Sequence, residues 1–375
     1  MSNILTTHVG SLPRSKELSD FLFAKDKGEK FSKSSFDEVL KNNVESVVKS
    51  QLDVGIDFVS DGEMSKISYA TYIKDRIDGF SGESERRAPA DLDDFPEYKE
   101  KIAKSGGTPT YTRPCCTNEL KVKDETSLLQ DINNFKNSLD KLNHRHAFMN
   151  SASPGVINVF MPNKFYSSED EYLDKLSNIM AKEYELITKS DIHVQLDCPD
   201  LALARHMNFK NLSEDEFIKR AELQIECLNS ALSNVDVEQT RMHICWGNYE
   251  GPHTYDIPLE KILPIAFKAN IQTYLIEASN PRHAHEWKVF ENVKVPHDKI
   301  IVPGVIDSTS NFVEHEDLVK ERIIKYSKVI PKDQLMAGSD CGFSTFAGFG
   351  NVDENIVYKK FESLVAGATL ASNAI

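Results

Sequence analysis

Short runs of β-branched and apolar residues alternate along the chain with longer stretches in which apolar positions recur at helical spacing. The β-type runs fall at 5–9, 56–60, 119–123, 146–150, 193–197, 242–245, 274–277, 300–302 and 335–338. Most are followed by amphipathic stretches, the clearest at 36–54, 169–189, 214–232, 313–327 and 354–371. Such alternation predicts parallel βα units. Nine runs exceed the eight strands of a closed barrel, so 119–123 is set aside. It follows the irregular, Pro- and Gly-bearing segment 83–114 and is polar at alternate positions, as expected of a hairpin outside the sheet. The expected fold is therefore α/β, a single (β/α)8 TIM barrel with an insertion between its second and third strands at about 83–123. Ser105-Gly106-Gly107-Thr108-Pro109 is expected to be a loop within that insertion. No repeat or low-complexity linker divides the chain, so 1–375 reads as one domain.

Composition narrows the function classes. The chain has 375 residues, 40% of them hydrophobic and 27% charged, which is ample for a buried core. Its formal net charge is -14 and no Lys/Arg cluster stands out, so a phosphate backbone or an anionic membrane surface would be repelled. Nucleic acid and membrane are thus not expected as partners. Met1-Ser2-Asn3-Ile4 does not open a basic, then apolar leader, and no run of 18 apolar residues occurs, so a soluble cytoplasmic protein is expected. Self-association into a homo-oligomer stays open. Six cysteines in so long a chain do not read as a disulfide framework. Cys227 lies in a helical pattern and reads as a packed thiol.

The chemistry-bearing pattern is His243-Ile244-Cys245, answered far downstream by Asp340-Cys341-Gly342. On a strand, residues i and i+2 share a face, so His243 and Cys245 point into one space while Ile244 points into the opposite layer. Imidazole and thiolate together form a soft, zinc-type ligand set, which a thiolate from another strand end and one oxygen would complete as a tetrahedron. The alternative is a core histidine and small buried thiols. No CxxC pair is present, which favours scattered ligands over a structural zinc staple.

His243-Ile244-Cys245-Trp246-Gly247-Asn248, Ile276-Glu277, Pro303-Gly304-Val305-Ile306-Asp307 and Ser339-Asp340-Cys341-Gly342-Phe343 resemble successive motifs of the cobalamin-independent methionine synthase family. Upstream, Thr7-His8-Val9-Gly10-Ser11-Leu12-Pro13-Arg14, Asp61-Gly62-Glu63 and Gln195-Leu196-Asp197-Cys198-Pro199 are similar to its earlier motifs. The resemblance covers most of the chain in order. It implies the barrel fold, a Zn2+ cofactor held by His243, Cys245 and Cys341, and Glu277 as the ligand that a substrate thiol displaces. It further implies Glu63 and Asp197 as partners of an amino-acid ammonium, and backbone at Val9, Gly10 and Ser11 as partners of its carboxylate. Read without the resemblance, Asp197 could cap the following turn and Glu63 could be an ordinary acid at a helix start.

The reaction so implied is zinc-dependent transfer of a methyl or other alkyl group to a thiol, with homocysteine methylation to methionine placed first. The partners are a small-molecule thiol, homocysteine or similar, and an alkyl donor. Two features depart from the family pattern. Where the synthases carry a proton-transferring His, this chain reads Ile306-Asp307-Ser308-Thr309-Ser310, and the long N-terminal half of the full-length enzymes, which helps to bind folate, is not expected in it. Methyltetrahydrofolate is therefore not expected as donor. Gly251-Pro252-His253 and Asn280-Pro281-Arg282-His283-Ala284-His285-Glu286 are closer to short relatives that include epoxyalkane:coenzyme M transferase. His253, Arg282, His283 and His285 are candidate acids or anion contacts, with helix capping and ion pairing to Glu286 as the alternative roles. Other readings are thiol addition to an epoxide, a zinc hydrolase, and a metal-free barrel of the uroporphyrinogen-decarboxylase type or a binding protein built on it.

Overall fold

Among the described residues nine strands form two sheets: β1 (Phe58–Ser60), β2 (Ile77–Ser81), β3 (Cys115–Val122), β4 (His146–Ala152), β5 (His193–Asp197), β6 (Thr240–His243), β7 (Thr273–Glu277), β8 (Ile300–Ile306) and β9 (Gly338–Ser339). The computed structural model describes residues 3–104 and 111–375, so the predicted loop Ser105-Gly106-Gly107-Thr108-Pro109 lies outside the described residues. β1, β4, β5, β6, β7, β8 and β9 pair in that order, all parallel, in one seven-stranded curled sheet. β2 and β3 form a separate antiparallel hairpin, which is where the sequence put 119–123. The hairpin begins at Ile77, earlier than the expected insertion boundary at 83.

The strands read as near-continuous apolar runs because both faces of the sheet are covered. Leu275 points inward and packs with Val9, Phe58, Phe148, Val302 and Met336, while its neighbours Tyr274 and Ile276 join the larger core under the helices. The helices are set by their caps as much as by their apolar faces. Ser32, Ser168 and Ser213 start Lys33–Asp53, Glu169–Thr188 and Glu214–Ala231, the last with a reciprocal Ser213–Glu216 capping box. Helices outside the expected stretches include Lys16–Asp26, Thr126–Leu139 and Leu259–Ala266; the last carries Pro264 inside it, which breaks the sequence signal. No helix among the described residues is long and apolar enough to cross a membrane.

The predicted strand at 5–9 is not a strand, and the sheet has seven strands rather than eight. The segment makes one isolated parallel bridge, Thr6 to Ala337. The reason lies in Asp57, whose carboxylate accepts both the Thr6 N–H (2.9 Å) and the Thr6 hydroxyl (3.0 Å) in place of a neighbouring carbonyl. The segment still touches both sheet edges. Thr7 N–H donates to Ala337 O (2.9 Å), Ala337 N–H to Leu5 O (3.0 Å), and Phe58 N–H to Thr6 O (3.0 Å). The strand expected at 242–245 ends at His243, and that at 335–338 is shifted to Gly338–Ser339.

His8 follows this segment and is completely buried. Gly10 N–H donates to its Nδ1 (3.1 Å), so the proton sits on Nε2 and is given to Gln51 Oε1 (2.7 Å). Burial lowers the His8 pKa to about 3, only partly opposed by the Gln51 hydrogen bond. A folded value below the unfolded one of about 6.5 means that the unfolded chain binds one more proton between these limits, so this contribution to stability is present above pH ~6.5 and is lost as pH falls. Replacing His8→Asn is expected to flatten the decline of unfolding free energy between pH 6 and 4 by about 1.4 kcal/mol per pH unit. Denaturant titrations of both proteins across that range check this, and equal slopes would show that His8 does not stay neutral in the fold.

Candidate functional site

Two strand ends, those of β6 and β9, supply a compact group of soft donors. β6 delivers His243, and Ile244 N–H donates to Leu275 O (3.1 Å), which keeps the chain extended for two further residues. Cys245 therefore shares the face of His243, while Ile244 and Trp246 pack outward. Cys341 follows β9. The ligating atoms of His243, Cys245 and Cys341 all lie within 4.8 Å of one another, and the two sulfurs are 3.8 Å apart. All three side chains are buried.

These residues fit a zinc ion. Two thiolates at ~2.3 Å from one tetrahedral zinc are about 3.8 Å apart, which is the separation found. Neither ring nitrogen of His243 makes a hydrogen bond of ordinary geometry, so a buried polar ring is left with a vacant lone pair. Burial lowers the His243 pKa to about 3, only partly offset by the Leu275 backbone, and a neutral imidazole is the form that ligates. The Cys341 thiol is pushed well up by its contact with Cys245, by burial and by the nearby Glu277 charge. Without a cation the Cys341 thiol is a poor acid.

Glu277, at the end of β7, stands beside this group. Its carboxylate accepts Trp246 N–H (3.0 Å) and Asn280 Nδ2–H (3.0 Å), and burial raises its pKa against the opposing pull of His283 and His253. The residue that holds the neighbourhood in place is one that the sequence reading passed over. Asp340 accepts the backbone N–H groups of Ala278 (2.7 Å), Ser279 (2.8 Å) and Asn280 (2.6 Å), and so ties the chain leaving β7 to the residue beside Cys341.

Two cavities flank the sulfurs. One, of about 470 Å³, is lined by His243, Cys245, Cys341, Glu63, Asp197, Val9 and Ser11, with Tyr69, Tyr111, Phe160 and Phe346 as an apolar wall. The other, of about 480 Å³, reaches Cys341 from the side of Glu277, His253 and Thr309. Asn248 lies between them, donating to Gly342 O (2.7 Å) and accepting from the Ser308 hydroxyl (3.1 Å).

Asp197 and Glu63 meet in the first cavity. Burial raises the Asp197 pKa well above the carboxylate range, and the Glu63 charge raises it further. Asn150 Nδ2–H donates to Asp197 (3.1 Å). Glu63 Oε2 is buried with no hydrogen-bond partner, its nearest cation being Lys66 Nζ at 3.6 Å. Glu63 also has φ 57, in the left-handed region that costs a non-glycine residue on the order of 1 kcal/mol or more.

Other expected residues fare differently. The Val9 and Gly10 N–H groups are already given to Ser339 Oγ (3.2 Å) and His8 Nδ1 (3.1 Å), so they are not free for a carboxylate, and Gly10 does not line the cavity. Gly10 is glycine because φ is 133 and a Cβ there would strike the Asn150 amide. Arg282 and His285 are exposed and line neither cavity, because the segment 280–285 forms a turn that directs only His283 inward. They are not acids or anion contacts of this site. His253 and His283 are buried but point at carboxylates: His253 Nδ1 and His283 Nε2 each lie 2.8 Å from Asp256 Oδ2. Cys198 is buried outside the cavities, its thiol 3.7 Å from Leu196 O.

The model of the family described as cobalamin-independent synthase, catalytic domain, matches residues 4–88 and 168–350. The chain is 23% identical over 366 residues to a methionine synthase of Saccharolobus solfataricus, covering 96% of this chain and 93% of that protein. It is 23% identical to a methionine synthase of Thermococcus kodakarensis, covering 97% and 92% respectively. Among solved structures, a B12-independent methionine synthase from Shewanella sp. W3-18-1, in complex with selenomethionine, shares the fold with a TM-score of 0.72 at 17% identity, covering 100% of this chain and 99% of that one.

If His243, Cys245 and Cys341 hold one zinc together, Cys341→Ser should bind one zinc equivalent fewer than the parent protein. The fold should survive, since packed helices and strands, not the metal, fill the core. Metal analysis after dialysis, with circular dichroism as the control, checks this; unchanged stoichiometry would remove Cys341 from the site.

Proposed function

The chain belongs to the cobalamin-independent synthase catalytic-domain family, and from that premise we propose that it is a zinc-dependent methyltransferase that methylates the thiol of homocysteine. The proposal reads the curled sheet, with the 5–7 segment bonded to both its edges, as a closed barrel, and 1–375 as one domain with an insertion. The observation that carries the function is the placement of two buried sulfurs and an unpartnered imidazole on the wall of the cavity that also holds Asp197 and Glu63. Zinc held by His243, Cys245 and Cys341, with Glu277 at hand as a displaceable oxygen donor, would supply a site at which a substrate thiol is kept ionised near neutral pH. The family match favours alkyl transfer over the hydrolase reading.

The protein's own groups orient the substrate. A primary ammonium has three donors, and the orphaned Glu63 Oε2 together with Asp197 offers acceptors for them. An arriving cation would also relieve the repulsion that raises the Asp197 pKa. Ser11, on the same wall, is the member of the 9–11 segment best placed to meet the substrate carboxylate. The apolar wall of Tyr69, Tyr111 and Phe346 excludes water around the thioether that forms.

The donor is constrained by Thr309. Its hydroxyl is given to Asp307 Oδ1 (2.8 Å), and a hydroxyl cannot protonate a leaving amine at neutral pH. A donor whose leaving group departs without a proton, a sulfonium or a methyl-corrinoid, suits this cavity better than a tertiary amine does.

Two outcomes are expected. Changing Asp197→Asn or Glu63→Gln should weaken homocysteine binding by roughly 2 to 4 kcal/mol, because a buried ammonium then loses a charged partner, and should scarcely affect a thiol without an amino group. Calorimetry with both thiols decides this, and equal losses would make the carboxylates structural. Single-turnover methylation of homocysteine with a methyl-sulfonium should outpace that with free methyltetrahydrofolate by at least ~100-fold, the usual worth of a general acid. Comparable rates would show that another group supplies the proton.

A further inference from the structure

A second group of ligating side chains converges on Asp256, whose side chain is 1% exposed. His253 Nδ1 and His283 Nε2 each approach Asp256 Oδ2 at 2.8 Å, and the three ligating atoms lie within 4.8 Å of one another. The outer edges of the two rings fix where their protons sit. His253 Nε2 is 3.1 Å from Tyr249 O, a pure acceptor, so Nε2 carries the hydrogen. His283 Nδ1 is 2.7 Å from Glu286 Oε2, and Glu286 Oε1 in turn accepts Leu259 N–H (2.8 Å), so Nδ1 carries the hydrogen there. A neutral imidazole has one N–H. The inward nitrogens of both rings are then lone pairs aimed at a carboxylate oxygen that is itself only an acceptor.

His206 differs. Its Nδ1 accepts Ala90 N–H (3.3 Å), which leaves the hydrogen on Nε2, facing Asp256 Oδ1 at 3.1 Å. Neither of those two atoms makes a hydrogen bond of ordinary geometry, although His206 is 3% exposed. His206 thus steadies the far oxygen of the carboxylate and is not a ligand.

Three electron-rich atoms facing one another need positive charge between them, supplied either by two extra protons or by one cation. Two extra protons would give two imidazolium rings, 6.5 Å apart between centroids and held by the Asp256 and Glu286 carboxylates, which raise both histidine pKa values; one divalent cation supplies the same charge at the point where the three atoms meet. We propose that His253, Asp256 and His283 form a second divalent-cation site, distinct from the sulfur site and suited to a metal of borderline softness such as zinc. Glu286 and Tyr249 O stand behind the two rings, as carboxylates and carbonyls do behind ligating histidines. A cavity of about 520 Å³ reaches His206 and Asp256 on the side away from the two ligating rings. His253 holds φ 52, a conformation that a ligand bond would help to maintain. The bound cation clamps the loop that follows β6 to the turn that follows β7. Its effect reaches the sulfur site, because the His283 ring packs on Trp246 (4.5 Å between centroids) and the Trp246 N–H holds Glu277.

The test is zinc stoichiometry, together with the visible spectrum of the cobalt(II)-loaded protein, for the parent, for Cys245→Ser/Cys341→Ser and for His253→Gln/His283→Gln. The parent should hold two equivalents. The Cys variant, which leaves the second cluster intact, should hold one and lose the sulfur-to-cobalt charge-transfer band while keeping ligand-field bands. The His variant should hold one and keep the charge-transfer band. One equivalent in the parent and none in the folded Cys variant would overturn the second site and leave two imidazolium rings in its place. One equivalent in both would support the second site and refute the sulfur site instead. Should the His variant fail to fold, the Cys variant alone decides.

Discussion

Two sulfurs 3.8 Å apart and an imidazole with no hydrogen-bond partner, all buried at the ends of parallel strands, set the electrostatic condition that the surrounding residues answer. Left to themselves such groups are unfavourable: the Cys341 thiol is held protonated and the ring forfeits the hydrogen bonds it had in water. A soft cation removes both difficulties at once. The fold keeps these atoms together through backbone, not through side-chain flexibility. The Ile244 N–H bond to Leu275 sets the face of Cys245, and Asp340 gathers three consecutive N–H groups beyond β7 next to Cys341.

Charge is arranged around that centre in two directions. On the side of the first cavity, Asp197 and Glu63 are two buried acids with only Lys66 Nζ, 3.6 Å from Glu63, as a cation beside them, and Glu63 holds a left-handed backbone while its Oε2 makes no hydrogen bond. On the proposed function, this strain and this oxygen without a hydrogen bond are what an incoming ammonium would relieve. On the other side, Glu277 faces His253 and His283, and Asp256 and Glu286 hold those rings. His283 and Trp246 join the two regions through ring contact, so the loops that follow β6 and β7 act as one support.

Much of this was legible in the chain because strand periodicity and strand-end chemistry are local. His243 and Cys245 two apart, Glu277 closing an apolar run and Cys341 beside an acid each follow from a few neighbouring residues. The remainder depends on distance in sequence. The 5–9 run has strand composition, yet its ladder is interrupted by the Asp57 side chain from another segment. Arg282, His283 and His285 look equivalent on paper, but the turn between them sends only His283 inward. The His206, His253 and His283 rings meet on Asp256 only because the segments that follow β5, β6 and β7 pack together, which no spacing rule reports.

The central claim is that the sulfur site receives the substrate thiol directly. Zinc-edge X-ray absorption on the metal-loaded protein, before and after addition of homocysteine, tests it most directly. To isolate the site, the measurement is made on protein carrying His253→Gln/His283→Gln. Two sulfur scatterers at about 2.3 Å should become three as an oxygen scatterer is lost, with release of about one proton per zinc. An unchanged sulfur count with the thiol demonstrably bound would contradict the account.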